Sequence, residues 1–230
     1  MFNRIAIAVA VVSLAACAAP RPRPITRPPP VQAVLQSLPV AGEYPIDSSG
    51  SEVRLLVYRA GPLSNLGHNH VMVNRAVTGR VQIGADVPAS SFSLSLRAED
   101  FVIDDAQARQ EEGGDFPGDI AEDAKAGTRR NLLSDAVLNA AEFPDITVKS
   151  VSLAGTLSEL NADLEVGAAG HTSRVSVPLS LQDDAHGFTA LGSVELRQTA
   201  LGLIPYSLLH GALQVQDAMQ LKFRIKVLTN

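Results

Sequence analysis

Apolar and polar residues alternate one by one along most of the chain after residue 44. In residues 221–227, LKFRIKV, every second residue is apolar and the residues between them are cationic. Residues 91–96, SFSLSL, repeat the pattern with serine on the polar side. Because successive side chains of a β-strand point to opposite faces, this period predicts strands with one buried and one solvated face. Comparable runs lie near 51–59, 70–83, 146–153, 160–166, 171–181 and 188–197.

The predicted strands are short and closely spaced, and glycine- and aspartate-rich breaks such as residues 183–187 separate them. About eight to ten strands at this spacing are typical of a β-sandwich or a β-barrel. No sequence repeat of roughly 20–50 residues is visible, which argues against a propeller or a solenoid. The pattern therefore predicts an all-β, antiparallel domain.

Residues 104–127 interrupt the alternation with acidic and glycine clusters, and we expect a long loop there. Residues 128–138 then place Leu133, Val137 and, less tightly, Arg130 on one helical face. This spacing predicts one helix, which should end before Phe143 because Pro144 follows. A long loop with a single helix in an antiparallel chain is typical of a lid or a portal.

The N-terminus has the pattern of a targeting signal. Arg4 precedes an apolar run at 5–14, which is too short to span a bilayer and has the length of a signal-peptide core. Residues 14–17, LAAC, resemble the lipobox of bacterial lipoproteins, so we expect residues 1–16 to be removed and Cys17 to be acylated. The alternative is an ordinary signal peptide with a chance cysteine. By resemblance to enterobacterial sorting rules, Ala18 favours the outer membrane over the inner one.

Composition narrows the picture further. The proline- and arginine-rich stretch 20–30 predicts an extended tether over 17–43, whose arginines either rest on anionic lipid or belong to a soluble stalk. The net charge is +3 over residues 1–43 and −8 over 44–230, which argues against nucleic acid as a partner. Cys17 is the only cysteine, so an intrachain disulfide is excluded. With ten Phe and Tyr and no Trp, any cavity must be lined mainly by aliphatic side chains.

Three groups of residues carry a family resemblance. They are residues 44–47 (YPID), residues 66–70 (LGHNH), and the segment 129–150, which begins RRNLL and contains Phe143-Pro144. The domain at 44–230 resembles the YceI-like family of lipid- or polyisoprenoid-binding proteins. The resemblance implies an extended eight-stranded antiparallel barrel, lipocalin-like, that holds a polyprenyl phosphate or a quinone by its apolar tail. The extra histidine in residues 67–70 and the long acidic loop depart from the family pattern.

Two histidines are the main candidates for chemistry. His68 and His70 are two residues apart, which places them on one face of a strand. In one hypothesis they bind a transition metal, with His171 as a third ligand if the barrel brings it near. In a second hypothesis they donate hydrogen bonds to a quinone carbonyl or a phosphate. In the third, one histidine is buried and hydrogen-bonded and the other caps a turn.

Arg130 is the candidate for an anionic head group, since an arginine near the start of a helix favours anion binding. The alternative is a structural ion pair with Asp135 or Glu142. The remaining candidate ligand contacts are apolar: Phe92, Leu133, Phe143 and Phe223.

We therefore predict a lipid-anchored, periplasm-facing protein of the cell envelope that binds a long-chain isoprenoid in its lumen. No Gly-x-Ser-x-Gly elbow or phosphate-binding loop is present, so we expect no enzyme and no required cofactor. The alternatives are a histidine-based metalloprotein or enzyme, and a ligand-free structural module.

Overall fold

The structure is a computed structural model that describes residues 33–229. Cys17, the predicted signal peptide and the first part of the predicted tether lie outside the described residues. The strands are β1 Gly42–Ala60, β2 His70–Asn74, β3 Thr78–Ile83, β4 Ser91–Arg97, β5 Val102–Ile103, β6 Asp145–Thr156, β7 Glu159–Ala168, β8 His171–Asp184, β9 Gly187–Arg197, β10 Ser207–Leu208 and β11 Leu213–Leu228; the helices are α1 Ala106–Glu112 and α2 Glu122–Leu133.

Eight strands close into an antiparallel barrel in the order β1-β3-β4-β6-β7-β8-β9-β11. The barrel closes where β1 pairs with β11, from Ile46 opposite Val227 to Ala60 opposite Gln214. Alternation decides which side chains face inward. Leu221 and Phe223 line the lumen, whereas Lys222 lies between them and ion-pairs outside with α1. The predicted eight-stranded, lipocalin-like barrel is confirmed.

Strand β1 changes partner along its length. Its first residues pair with β3, and residues 53–57 pair instead with β2, which in turn pairs with β5. A register shift between Asp47 and Glu52 separates the two parts. The Ser51 hydroxyl stabilises this bulge, because it accepts the Lys226 N–H and donates to the Asp47 carbonyl. Of the three extra strands, β2 lies beside the second half of β1, β5 lies on the far side of β2, and β10 lies beside the start of β11.

The prediction of one helix at 128–138 after a long loop was wrong in its details. Helix α1 lies inside the predicted loop 104–127, and α2 begins at Glu122 and ends at Leu133. The first half of α2, residues 122–127 (EDAKAG), contains no large apolar residue, so no apolar stripe marks it in the sequence. The chain then turns at Asn139, whose N–H and carbonyl both bond within the turn, before β6 begins at Asp145.

Charged side chains fasten α1 to the outside of the barrel. The Arg54 guanidinium, 11% exposed, donates to Glu111 and Glu112 of α1 at 2.8 Å each. Burial lowers the pKa of Arg54, but its hydrogen bonds to these carboxylates and to Glu52 outweigh that effect and hold the pKa above its ordinary value. Beneath the helix lies an apolar cluster of Leu56, Val71, Val73, Ala108 and Phe116.

Residues 33–38, which we assigned to the tether, pack against the barrel. Two backbone hydrogen bonds join this segment to β8. The Leu35 N–H donates to the Leu181 carbonyl, and the Asp183 N–H donates to the Ala33 carbonyl. The Leu35 side chain is 7% exposed and belongs to the core cluster at this end of the barrel. Part of the predicted tether is therefore a component of the domain. Neither helix within residues 33–229 is long and apolar enough to cross a bilayer.

Candidate functional site

The barrel encloses a cavity of about 420 Å³. All eight strands contribute to its wall, and the contributing side chains are almost entirely Val, Leu and Ile with a few aromatic rings. This volume lies in the range of small-molecule sites, roughly 300–1,000 Å³. The wall follows from the period-two pattern, because each strand turns its apolar residues inward. One inward residue from each strand illustrates the arrangement: Leu55, Val81, Leu94, Val148, Leu164, Val177, Ala190 and Phe223.

The two ends of the cavity differ. At one end, which we call the closed end, Leu38 and Val87 lie over the core cluster that contains Leu35 and Phe188, and none of these four is exposed. At the other end, which we call the mouth, several wall residues are also exposed to solvent, and this marks the opening. The exposed wall residues are Arg59, His68, Leu208 and Gln214.

Nearly all polar wall residues lie at the mouth, while the wall below them is apolar. A lipid could therefore place its apolar tail against the apolar wall and its polar head group among the polar residues of the mouth. Within the wall, Arg59 is engaged with the Gly67 carbonyl at 2.7 Å, and Gln198 with the Gln216 carbonyl at 2.7 Å. The polar residues of the mouth are Tyr58, Arg59, His68, His70, Thr128, Asn131, Gln198, Tyr206 and Gln214.

A buried ionic network holds the loops beside the mouth. The Asp104 carboxylate is fully buried and lies 2.7 Å from both His70 Nδ1 and Arg109 Nη1. It also accepts the Val71 N–H at 3.0 Å. The carboxylate only accepts, so Nδ1 of His70 carries the proton in this contact. His70 is therefore oriented by a hydrogen-bonded partner.

Arg109 connects this network to the loop after α1. Its side chain, 3% exposed, also donates to the carbonyls of Asn69, Pro117 and Gly118. Burial raises the pKa of Asp104, but the hydrogen bonds from His70 and Val71, the charge of His70 and the contact with Arg109 outweigh it, so the pKa lies below its ordinary value. Asp104 is the hub of the mouth, and its positive φ of 54° places its carboxylate there.

His68 stands next to His70 but in a different environment. The two rings meet edge to face, with centroids 6.2 Å apart and an interplanar angle of 69°. His68 is exposed and lines the mouth, and within residues 33–229 its ring makes no hydrogen bond to another side chain or carbonyl. The pair is thus one fixed ring and one ring available to a ligand.

The metal hypothesis needs a third ligand that the fold does not bring to the pair. His171 begins β8 and packs against Gly202. Within the described part of the chain, no three His, Cys, Asp or Glu side chains are grouped in a way that could hold a metal ion. His171 therefore does not complete a site with His68 and His70.

Other predicted contacts divide into two groups. Phe92 and Phe223 line the lumen, whereas Leu133 packs against the core around the mouth and leaves the wall to Leu132. Phe143 lies outside the cavity wall, against Gly170 in the turn between β7 and β8.

Arg130 occupies a different helical position from the one expected. Because α2 begins at Glu122, Arg130 lies exposed in its last turn, and no anion site at a helix N-terminus forms around it. A cation in the last turn instead matches the negative end of the helix dipole. Its neighbour Arg129 has a structural role, donating to the carbonyls of Phe101 and Glu99.

The sequence analysis missed Asp104 and Arg109, although a signal for them was present. Asp105 accepts the Ala108 N–H as the N-cap of α1, and residues 106–112 are good helix formers. An N-cap followed by such a run predicts a helix, and Arg109 lies on its buried side. What sequence could not predict was the pairing of that arginine with Asp104 and His70.

Comparison with known proteins agrees with this architecture. BcnA from Burkholderia cenocepacia aligns with a TM-score of 0.58 at 15% identity, over 80% of this chain and 99% of that chain. A polyisoprenoid binding domain from Saccharophagus degradans aligns with a TM-score of 0.52 at 11% identity, over 81% of this chain and 98% of that one. At these identities the likeness shows the fold alone. No protein of curated function matches the sequence significantly.

A family model described as the YceI-like domain matches residues 44–227, which is the barrel from the first residues of β1 almost to the end of β11. The resemblance seen in residues 44–47, 66–70 and 129–150 is thereby confirmed over the whole domain, and the chain belongs to the YceI-like family.

Proposed function

We propose that this protein binds a long-chain isoprenoid lipid, of the polyprenyl phosphate or quinone type, with the tail in the lumen and the head group at the mouth. The observation that carries the proposal is the cavity wall, which is apolar along the barrel and has nearly all of its polar residues at the mouth, around His68. The neighbour from Saccharophagus degradans, which has the same fold, is described as a polyisoprenoid binding domain.

Affinity in such a site comes mainly from burying the tail. The gain is about 25 cal/mol for each Å² of apolar surface removed from water, before the cost of ordering the chain is subtracted. Few hydrogen bonds are needed, and the exposed His68 ring and the phenol of Tyr206 are available donors at the mouth. A solidly packed lumen would have favoured the ligand-free structural alternative, and the cavity argues against that alternative.

We further propose that the protein is a lipoprotein of the cell envelope, anchored through acylated Cys17 with its barrel facing the periplasm. Two or more acyl chains are needed for stable anchoring, and the lipobox-like residues 14–17 support their attachment. Cys17→Ser is expected to move the protein from the membrane fraction to the soluble fraction of its host. Retention of the variant in the membrane would contradict the anchor, and density separation of the membranes tests the outer-membrane assignment.

The lipid is tested by native mass spectrometry and lipid extraction of the full chain purified from its own host. We expect a bound lipid, or uptake of added quinone or polyprenyl phosphate by the empty protein. Ala190→Phe fills the lumen, because Ala190 faces the cavity between Leu181 and Ile225 on the neighbouring strands. This variant should lose most of the bound lipid.

Ala154→Phe is the matched control, since Ala154 is exposed and its neighbour Leu153 is the residue that faces the lumen. It should bind lipid like the unmodified protein. An empty barrel that takes up neither added lipid, or equal binding by the two variants, would contradict the proposal.

A further inference from the structure

Two loops at the mouth concentrate the exposed apolar side chains of the domain. We call residues 61–69 and 203–212 the rim loops. The Leu63 N–H donates to the Ala212 carbonyl at 2.8 Å, so the loops form one continuous surface. Of the nine large hydrophobic residues exposed within 33–229, these loops hold five, so the patch is not random scatter. The five are Leu63, Leu66, Ile204, Leu208 and Leu209.

The backbone of the second rim loop keeps apolar side chains in solvent. Leu209 has a φ of 51°, His210 of 55° and Gly211 of 89°, and only the glycine adopts this region without cost. Leu209 is 68% exposed in this conformation. Neither the backbone strain at Leu209 nor the exposure of its side chain stabilises the isolated domain. Backbone strain of this kind is concentrated at functional segments of proteins.

The rim loops also lack charge. The sequence contains no Asp, Glu, Lys or Arg from residue 60 to 74 or from 198 to 216, whereas residues 44–230 as a whole carry a net charge of −8. A protein surface rarely presents such a stretch, because charged residues normally cover it. Charge is costly inside a bilayer, and a Tyr such as Tyr206 suits the boundary between hydrocarbon and water.

We propose that the rim loops insert into the surface of a phospholipid bilayer, so that the mouth opens onto its hydrocarbon region. The patch surrounds the opening of an apolar cavity, since Leu208 belongs both to the rim and to the cavity wall. A lipid tail that left the lumen into water would expose its apolar surface, whereas a tail that left it into an inserted rim would stay shielded. The proposal builds on lipid binding in the lumen, but its test requires no isoprenoid.

The start of the described chain is compatible with this orientation. Residues 33–35 contact β8 at the closed end, and 16 residue steps separate Ala33 from Cys17. A chain of that length reaches at most about 55 Å. Strand β11, with 16 residues, is about 50 Å long at most. An anchored barrel therefore has enough chain to turn its mouth toward the membrane that holds it.

The test uses the full chain with Cys17→Ser, which removes the only cysteine. Leu209→Cys then carries an environment-sensitive NBD label at the rim. Val151→Cys carries the label at the matched control position, an exposed valine on β6. With vesicles of pure phosphatidylcholine, we expect a blue shift and a several-fold rise in emission at position 209, with quenching by doxyl-labelled lipid. We expect no change at position 151. The N-terminal residues are identical in both chains, so their own membrane affinity cancels.

A second pair of variants tests the rim side chains with the same probe at position 209. Leu66→Ser with Ile204→Ser should raise the lipid concentration for the half-maximal signal about tenfold or more, since each leucine or isoleucine loses its burial. Val40→Ser with Val102→Ser removes two other exposed valines and should leave that concentration unchanged.

Three results would overturn the proposal. The first is an equal response at positions 209 and 151, or none at 209. The second is a response only with anionic vesicles that high salt abolishes, which would indicate docking by the basic residues 20–30. The third is an NBD label at position 209 that stays exposed to water in the presence of vesicles but becomes shielded from water when another protein of the cell envelope is added. Loss of isoprenoid binding would leave the vesicle result unaffected, so the two proposals fail separately.

Discussion

The closed end and the mouth are built from the same strands but are stabilised in different ways. The closed end packs apolar side chains, with Leu35 laid across Leu181 and Phe188. The mouth also has an apolar cluster, around Met72 and Phe101, but it adds a buried hydrogen-bond network centred on Asp104 and Arg109. Apolar packing leaves no entry for a ligand at the closed end. At the mouth, hydrogen-bonded side chains beside the opening hold the loops in place. The difference shows that the closed end excludes solvent by apolar packing, whereas the mouth combines an opening with a buried hydrogen-bond network.

Replacing Arg109 at the mouth should cause the largest decrease in the free energy of unfolding. In Arg109→Met the buried Asp104 carboxylate loses a cationic partner and three backbone carbonyls lose a donor. We expect a decrease of about 3–5 kcal/mol in the free energy of unfolding, measured by urea denaturation. Arg80→Met removes an exposed ion pair with Glu43 and should cost less than about 1 kcal/mol. A similar small cost for both variants would contradict the role of the network.

The closed end is tested by Leu35→Ala. This residue is 7% exposed within a packed cluster, and its truncation should lower the free energy of unfolding by about 2–3 kcal/mol. Val40→Ala, two residues beyond this segment, is the control, because Val40 is 82% exposed and should change stability by less than about 0.5 kcal/mol. If the two variants are equally stable in denaturant titrations, residues 33–38 do not contribute to the barrel.

Acid should weaken the mouth more than the closed end. The pKa of Asp104 is lowered from its ordinary value of 3.8 in the folded state, so the stabilisation it provides is complete above that pH and is lost as the pH falls through the lower, folded value. The measurement is the difference in unfolding free energy between the unmodified protein and Asp104→Asn at pH 6 and at pH 3. Shared contributions from other carboxylates cancel in this difference. It should shrink at pH 3, and a difference that grows would refute the assignment.

Relief of backbone strain in the rim loops should give the smallest change in the free energy of unfolding, and it should stabilise the protein where the other variants destabilise it. Leu209→Gly is expected to raise the free energy of unfolding by about 0.5–1 kcal/mol, because glycine adopts a positive φ without the steric cost. Leu209→Ala removes the same exposed side chain but keeps the Cβ, and it should give no gain. Thermal unfolding of the two variants is the measurement. Equal melting temperatures would show that the conformation is not strained.

The strands were predictable because their pattern is local. In residues 221–227, the inward and outward faces follow from the order of residues alone, and Phe223 and Lys222 lie as predicted. The helices were harder. The first turns of α2 have no apolar stripe, and α1 is fixed by Arg54, which lies more than 50 residues away in the sequence. Contacts of that kind leave no local periodicity.

The candidate site was predictable in part for the same reason. Phe92 and Phe223 lie on strands whose residues alternate between apolar and polar, and both line the lumen. Arg130 and Phe143 follow a less regular segment and lie outside the cavity wall, because α2 begins earlier than expected and the following turn aims Phe143 at Gly170. The two histidines, adjacent in sequence, have different surroundings because only His70 meets Asp104.

By itself, the sequence determined the all-β class, the inward faces of the strands, the family and the aliphatic character of the lumen, since all of these depend on residue type and short-range period. Only the tertiary structure decided which end of the barrel is open, which histidine is free, and that Leu35 belongs to the domain. These features depend on contacts between residues far apart in the chain, such as Asp104 with His70 and Leu35 with Leu181, and such contacts exist only once the barrel has closed.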